Sequence, residues 1–262
     1  MSGVAALAIF AAALAAGAIN AVVGSGSLIT FPTLLAFGFA PVVANVSNNV
    51  GIIPGNISAS VGYRAELAGQ RGRLWRLGIA SLTGAAAGAV ALLALPPGVF
   101  KLVVPALIIV GCVLVLIQPK LAAWVARRGQ ASRGQASRGQ DRPDRLGPAV
   151  IAGVFLTGAY GGYFGAAQGV ILVGLLGVFL TDSLQRLNAG KNVLVTIVNG
   201  TAAVIFVIFA HIAWLAVALI AVGSAAGGLI GAKIGRRLPP LALRIIIVVI
   251  GVISAVKLIF FP

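Results

Sequence analysis

The sequence predicts an all-α polytopic membrane protein made of two inverted repeats, and three observations carry that prediction. Ten apolar segments fall into two runs of five, a pattern of glycines and asparagines in the first run returns in the second, and the basic residues concentrate in a few stretches between segments. With 60% hydrophobic and 9% charged residues and a mean hydropathy of +1.10, the chain is far too apolar for a water-soluble domain.

A hydrocarbon core about 30 Å thick needs about 20 apolar helical residues to cross it. The first half offers Val4–Val23, a short Leu28–Phe39, Val42–Gly62, Leu77–Leu95 and Leu102–Ile117. The second offers Ala149–Phe164, a short Val170–Leu180, Ala189–Ala210, Ala213–Ala232 and Leu241–Phe261. The result is about eight to ten transmembrane helices, two of them short or broken. Between the halves lies RRGQASRGQASRGQDRPDR, a low-complexity repeat with no apolar face to bury, which reads as a flexible basic linker. The predicted organisation is a membrane repeat over residues 1–117, a cytoplasmic linker over 118–147 and a second membrane repeat over 148–262. Met1–Val4 has no basic leader, so the N-terminus reads as a retained first span.

Orientation follows from the bases, because short cytoplasmic loops are enriched in Lys and Arg. Arg64, Arg71, Arg73 and Arg76 share one loop, Lys120, Arg127, Arg128, Arg133 and Arg138 mark the linker, and Lys233, Arg236 and Arg237 mark a third stretch. The second-half equivalent of the Arg64–Arg76 loop is the uncharged corner at His211, so the halves have opposite orientation. That requires an odd number of crossings per half, and the short segments therefore count as crossings. A twelve-residue helix covers only about 18 Å, so part of each short crossing is non-helical or shielded from lipid, with the glycine tracts as the place for it. The multi-pass chain is expected in the cytoplasmic (inner) membrane, with the lipid bilayer as its partner.

The candidate binding residues lie in these repeated tracts. Gly24, Ser25, Gly26 and Ser27 directly precede one short segment, and Gly165 and Gln168 precede the other. Free N–H groups at a helix start attract anions, and broken transmembrane helices use this near the bilayer midplane. Glycines also let helices pack closely, so a purely structural role stands beside that one. Asn45, Asn49 and Asn56 sit at offsets of zero, four and eleven, which confines them to an arc of roughly 40° on a helix. Asn188, Asn192 and Asn199 repeat those offsets. Such stripes suit a path lined for an oxygen-rich solute, or they are interhelical glue worth about 0.6 kcal/mol per contact. Lys191 stands where the first half has Asn48, and it either supplies positive charge to an anion or snorkels to the interface.

Other classes are disfavoured by what the chain lacks. Its 19 Lys and Arg against 4 Asp and Glu give a net charge of +15, but the bases sit where orientation signals do, so nucleic acid is not an expected partner. Glu66, Asp141, Asp144 and Asp182 all lie away from the middle of a span, which removes the buried carboxylate of many cation transporters. One cysteine, Cys112, and one histidine, His211, cannot build a disulfide framework or a metal site within one chain. Gly24-Ser25-Gly26 has no base in reach for nucleophilic catalysis. The expectation is therefore no enzyme, no catalytic residue, no cofactor and no metal, with homo-oligomerisation left open.

The helix ending in Gly17–Pro32, followed by an asparagine-marked helix leading to a basic loop, and its copy with NAGKNVLVTIVNG at Asn188–Gly200, resemble the sulfite exporter TauE/SafE family. The resemblance covers nearly the whole chain except the linker. It implies a membrane permease for sulfite, sulfonates or related sulfur-containing anions, with about eight spans. The chain departs from the family's three consecutive glycines, having Ser25 and Ser27 around Gly26 and Ala166-Ala167 in the copy, and this leaves the particular anion open. A transporter working by alternating access is the leading reading; an anion channel and a non-transporting membrane scaffold are the alternatives.

The charge asymmetry makes a topological prediction: the Arg64–Arg76 loop and the 127–145 linker are cytoplasmic, and His211 and Pro262 face outward. Impermeant thiol labelling of intact cells should therefore reach a cysteine placed at His211 and spare one at Ser132. Strong labelling at Ser132 would overturn the assignment.

Overall fold

The computed structural model describes residues 1–136, 146–180, 182–234, 245, 247–253 and 255–256. Each predicted segment is helical over most of its described residues, and the described residues contain no strand. The first half runs α1 (Gly3–Val22), α2 (Ser27–Ala36), α3 (Pro41–Gly62), a 3-10 turn (Arg64–Leu67), α4 (Arg71–Ala94) and α5 (Pro97–Ala136). The second runs α6 (Pro148–Tyr163), α7 (Gln168–Phe179), α8 (Leu184–Phe209) and α9 (Trp214–Ile234). Residues 247–253, inside the last predicted segment, are also helical. The linker from 137 to 145, including Arg138, Asp141 and Asp144, lies outside the described residues, as do Arg236, Arg237 and Pro262.

Local chemistry sets the helix ends. Ser2 and Ser183 cap α1 and α8, accepting from Ala5 N and Arg186 N at 3.3 Å each. Pro41 and Pro148 open α3 and α6, where the missing N–H costs nothing. The breaks after α1 and α6 fall at Gly24 (φ +84°) and Gly165 (φ +75°), each seven residues beyond a glycine buried inside its helix, Gly17 and Gly158. The expected linker is corrected at its start. Helix α5 runs on to Ala136, because Leu121 and Val125 pack over Gly174 and Gly177 of α7 and a nucleated helix propagates cheaply once one face is buried.

Five described helices are long and apolar enough to cross a membrane: α1, α4, α5 over Gly98–Arg127, α8 and α9 over Trp214–Lys233. Helix α3 has the length but is made more polar by buried Asn45, Ser47, Asn48, Asn49 and Asn56. Large apolar side chains such as Leu7, Val90, Leu102 and Phe209 point outward, as a lipid-facing surface requires. Trp75 and Trp214 are exposed on the first turns of α4 and α9, the position of interfacial anchors. The chain is a multi-pass, all-α membrane protein.

Small residues hold the halves together and also reveal their relative direction. Gly84 and Gly88 of α4 lie against Phe155 and Ala159 of α6, in rising order on both helices, so the two run parallel. Gly223, Gly227 and Gly231 of α9 meet Phe10, Leu14 and Ala18 of α1 in the same way, and Gly51, Gly55 and Gly62 of α3 meet Ile220, Ser224 and Ala232 of α9. Gly78 meets Ile197, and Gly190 meets Gln70 and Leu74, which aligns α4 with α8. One set therefore contains α1, α3 and α9, and the other α4, α6 and α8. Within each half the first and third helices share a direction and the fourth opposes them, so the halves are inverted. Because α1 and α3 are parallel, the ten residues of α2 carry the chain back between them, as α7 does between α6 and α8. The same short segment thus solves the crossing problem in both halves.

Association inside a membrane relies on close van der Waals packing rather than on hydrophobicity. A methyl group at Gly88 would sit 1.9 Å from Ala159 O and one at Gly227 would sit 2.0 Å from Leu14 O, whereas at Gly200 it would meet nothing within 4 Å. We expect Gly88→Ala and Gly227→Ala each to cost about 1–3 kcal/mol and to lower thermal stability in detergent by several degrees. Gly200→Ala should match or exceed the parent. Equal losses at all three positions would contradict this packing account.

Candidate functional site: the crossing of two broken helices

The two glycine breaks touch. Gly169 N donates to Gly24 O at 3.1 Å, and a Cβ on either residue would lie 2.5 Å from the other's Cα, so the backbones cross with no room for a side chain. The first turns of α2 and α7, which begin at Ser27 and Gln168, therefore start close to one another. Ala167, in one of the positions where the family pattern has glycine, holds a left-handed conformation at φ 57°, at a cost of about 1–2 kcal/mol for a non-glycine residue. Gly26 N donates to Asn20 Oδ1 at 3.3 Å. Ser25 Oγ and Gln168 Nε2 are buried without a hydrogen-bond partner, which is costly unless a further group meets them.

The asparagine stripes of α3 and α8 converge on this crossing. Asn188 Nδ2 and Asn192 Nδ2 donate to Ala21 O at 3.1 and 3.4 Å, meeting the free carbonyl end of α1. In the other half Asn45 Nδ2 donates to Tyr163 O at 2.9 Å, meeting the end of α6. A helix stopping in lipid must have its orphan carbonyls met by protein, so Asn45 and Asn188 do equivalent work across the repeats. Between the stripes Asn49 Nδ2 donates to Asn199 Oδ1 at 3.3 Å, and Ser60 Oγ lies 3.4 Å from Thr196 Oγ1. Asn56 accepts from Asn20 Nδ2. Each asparagine bonds another element, as interhelical glue would, while Asn49 Oδ1, Asn56 Nδ2 and Asn188 Oδ1 remain buried and unpartnered.

Lys191 is a basic residue where the equivalent position of the first half holds the neutral Asn48. The snorkelling alternative is overturned: the side chain is 0% exposed because its stem passes over Gly169, whose Cβ would lie 2.9 Å from Lys191 Cδ. Its Nζ donates to Asn20 O at 2.9 Å and Ala21 O at 3.4 Å, the terminal carbonyls of α1, where the helix dipole is negative. At the equivalent position Asn48 accepts from Thr30 Oγ1 and donates to Ser27 Oγ at 3.1 Å, tying α3 to the first turn of α2. The nearby charges are spoken for. Asp182 accepts from Arg73 at 2.8 Å and from Arg186 at 2.7 Å, joining the start of α4 to the α7–α8 connection.

A cavity of about 160 Å³ reaches this region from the Arg64–Arg76 end, lined by Val22, Val23, Tyr63, Gln118, Val170 and Asn188 among others. On the opposite side, toward the start of α5, Phe164 packs edge-on against Phe31 at 5.2 Å and Phe100 at 6.2 Å, and Tyr163 lies 5.8 Å from Phe100. Sequence reasoning missed Asn20, Tyr63 and Gln118. Asn20 was signalled only as the single polar residue deep in an otherwise apolar helix, and Gln118 lay inside the expected linker.

The family model described as sulfite exporter TauE/SafE matches residues 9–258. A probable membrane transporter protein of Haemophilus influenzae is 26% identical over 255 residues, covering 96% of this chain and 93% of its own. One of Escherichia coli is 26% identical over 254 residues, 96% of this chain and 88% of its own, and one of a Sinorhizobium species is 24% identical over 263 residues, 97% and 92%. No solved structure matches the chain with significance. With that family model matching nearly the whole chain, the chain belongs to the sulfite exporter TauE/SafE family.

Proposed function

We propose that the protein is a permease of the cytoplasmic membrane that moves small oxygen-rich anions, such as sulfite or a sulfonate, by alternating access. The observation that carries this reading is Lys191, fully buried with only carbonyl partners where the two helix breaks cross. A lysine charge buried in a membrane is expensive unless an opposite charge joins it, and the chain supplies no acid in the middle of a span. An anion arriving at the crossing offers that charge. It also finds the unpartnered Ser25, Asn56 and Gln168 groups, so its lost hydration is replaced from several sides.

The relatives' description as probable membrane transporters supports the same class. A cavity open to one end and aromatic packing on the other favour alternating access over a continuous pore. With the Arg64–Arg76 loop cytoplasmic, the open side is the cytoplasmic one, and separating Phe31 from Phe164 would open the other.

Flux into proteoliposomes, measured against concentration for sulfite, sulfate, thiosulfate and methanesulfonate, tests the reading. Lys191→Gln should raise half-saturation about tenfold or more, the value of a charge-assisted hydrogen bond, while Lys191→Arg keeps part of the affinity. Asn49→Leu and Asn192→Leu should abolish flux in protein that still purifies as a folded monodisperse species. An unchanged half-saturation in Lys191→Gln would remove Lys191 from the site, and no flux of any of these anions by the parent would remove the permease reading.

A further inference from the structure

Resting on that permease reading, we propose that Lys191 is also the coupling site of the transporter: it takes up one proton as the anion binds and gives it up as the anion leaves, so that anion and proton cross together. The argument is one of charge balance. Empty, the crossing surrounds Lys191 Nζ with the carbonyls of Asn20 and Ala21 and no carboxylate, and a neutral amine can donate to both. The ammonium form would leave a full charge in a water-poor interior, opposed only by the partial charge of the α1 terminus. An anion beside it reverses the balance. In the step, the Nζ lone pair takes a proton from the open side, giving an ammonium–anion pair whose net charge for a monoanion equals that of the empty site. The loaded and empty carriers then both rearrange without moving charge across the membrane.

The surroundings leave Lys191 as the group to do this. Helices α1, α2 and α7, which form the crossing, carry no titratable side chain. The other elements packed against α8 carry Tyr160 and Tyr163 on α6, of which Tyr160 donates to Ala166 O, Tyr63 at the end of α3, and buried Cys112 with exposed Lys101, Lys120 and Arg127 on α5. Arg64 and Glu66 lie on the 3-10 turn, and Arg71, Arg73 and Arg76 begin α4. Asp182 is held between Arg73 and Arg186. Asn48, the equivalent of Lys191, cannot titrate, so one proton per cycle is the expected stoichiometry.

Thiosulfate and methanesulfonate suit the test, because neither takes up a proton near neutral pH. Parent protein in liposomes loaded with a pH dye should acidify the lumen by about one proton per anion entering. In weakly buffered detergent it should take up a proton as either anion binds. Lys191→Arg, which stays charged, should bind the anion and exchange labelled for unlabelled anion across the membrane with neither signal; should that variant not fold, Lys191→Gln serves for the binding measurement. Anion flux by the parent without proton movement would overturn the coupling proposal and leave the permease reading standing, as would proton uptake by either variant equal to the parent's. Absence of anion flux in the parent would remove both.

Discussion

A helix that stops inside a membrane leaves free amides at one end and free carbonyls at the other, with no water to meet them. This protein has two such stops, at Gly24 and Gly165, and the polar architecture of its interior answers them. The carbonyl end of α1 is met by Asn188, Asn192 and Lys191, and that of α6 by Asn45. The amide ends of α2 and α7 meet Asn20 and, across the crossing, Gly24. The glycines at that crossing are required by geometry, since a Cβ on Gly24 or Gly169 would enter the opposing backbone. Once the breaks exist, the asparagine helices must lie against them, and the inverted packing of α1 on α9 and α4 on α6 follows from bringing both pairs to one place.

Function enters where the two-fold plan is incomplete. Asn45 and Asn188 perform matching tasks, and Asn49 meets Asn199 across the pseudo-axis. Asn48 and Lys191 do not match: one links two helices of its own half through neutral bonds, the other places a basic group on the partner half. On the permease reading proposed above, a symmetric scaffold alternating between two openings needs a single substrate position near its axis, and one charge placed off the symmetry would orient the anion within it. The unpartnered Ser25, Asn56 and Gln168 groups surround the crossing with hydrogen-bonding capacity the protein does not itself consume.

Much of this was legible in the sequence because it obeys periodicity. The asparagine offsets of four and eleven define a helix face whatever the helix packs against, and their recurrence 143 residues on, from Asn45 to Asn188, marks the repeat. The opposite placement of basic loops was enough to expect inversion, which the direction of glycine packing displays. What escaped reading depended on three-dimensional neighbours. Lys191 lies only two turns into α8, a position from which a lysine ordinarily reaches the interface; it stays buried because α1 ends above it. Asn20 has no periodic companion in α1. The extension of α5 through Leu121 and Val125 owes its stability to glycines in α7, some fifty residues away, and the polar repeat that follows hides it.

The central claim, that an anion is held at the crossing by Lys191, is tested most directly by locating one. Crystals of the protein soaked in selenate, an oxyanion with a strong anomalous signal, should show an anomalous peak within hydrogen-bond reach of Lys191 Nζ, between Asn188 and the first turns of α2 and α7. The peak should vanish in Lys191→Gln. A peak only at the arginine-rich end or on the surface, or one at the crossing that persists unchanged in Lys191→Gln, would contradict the account.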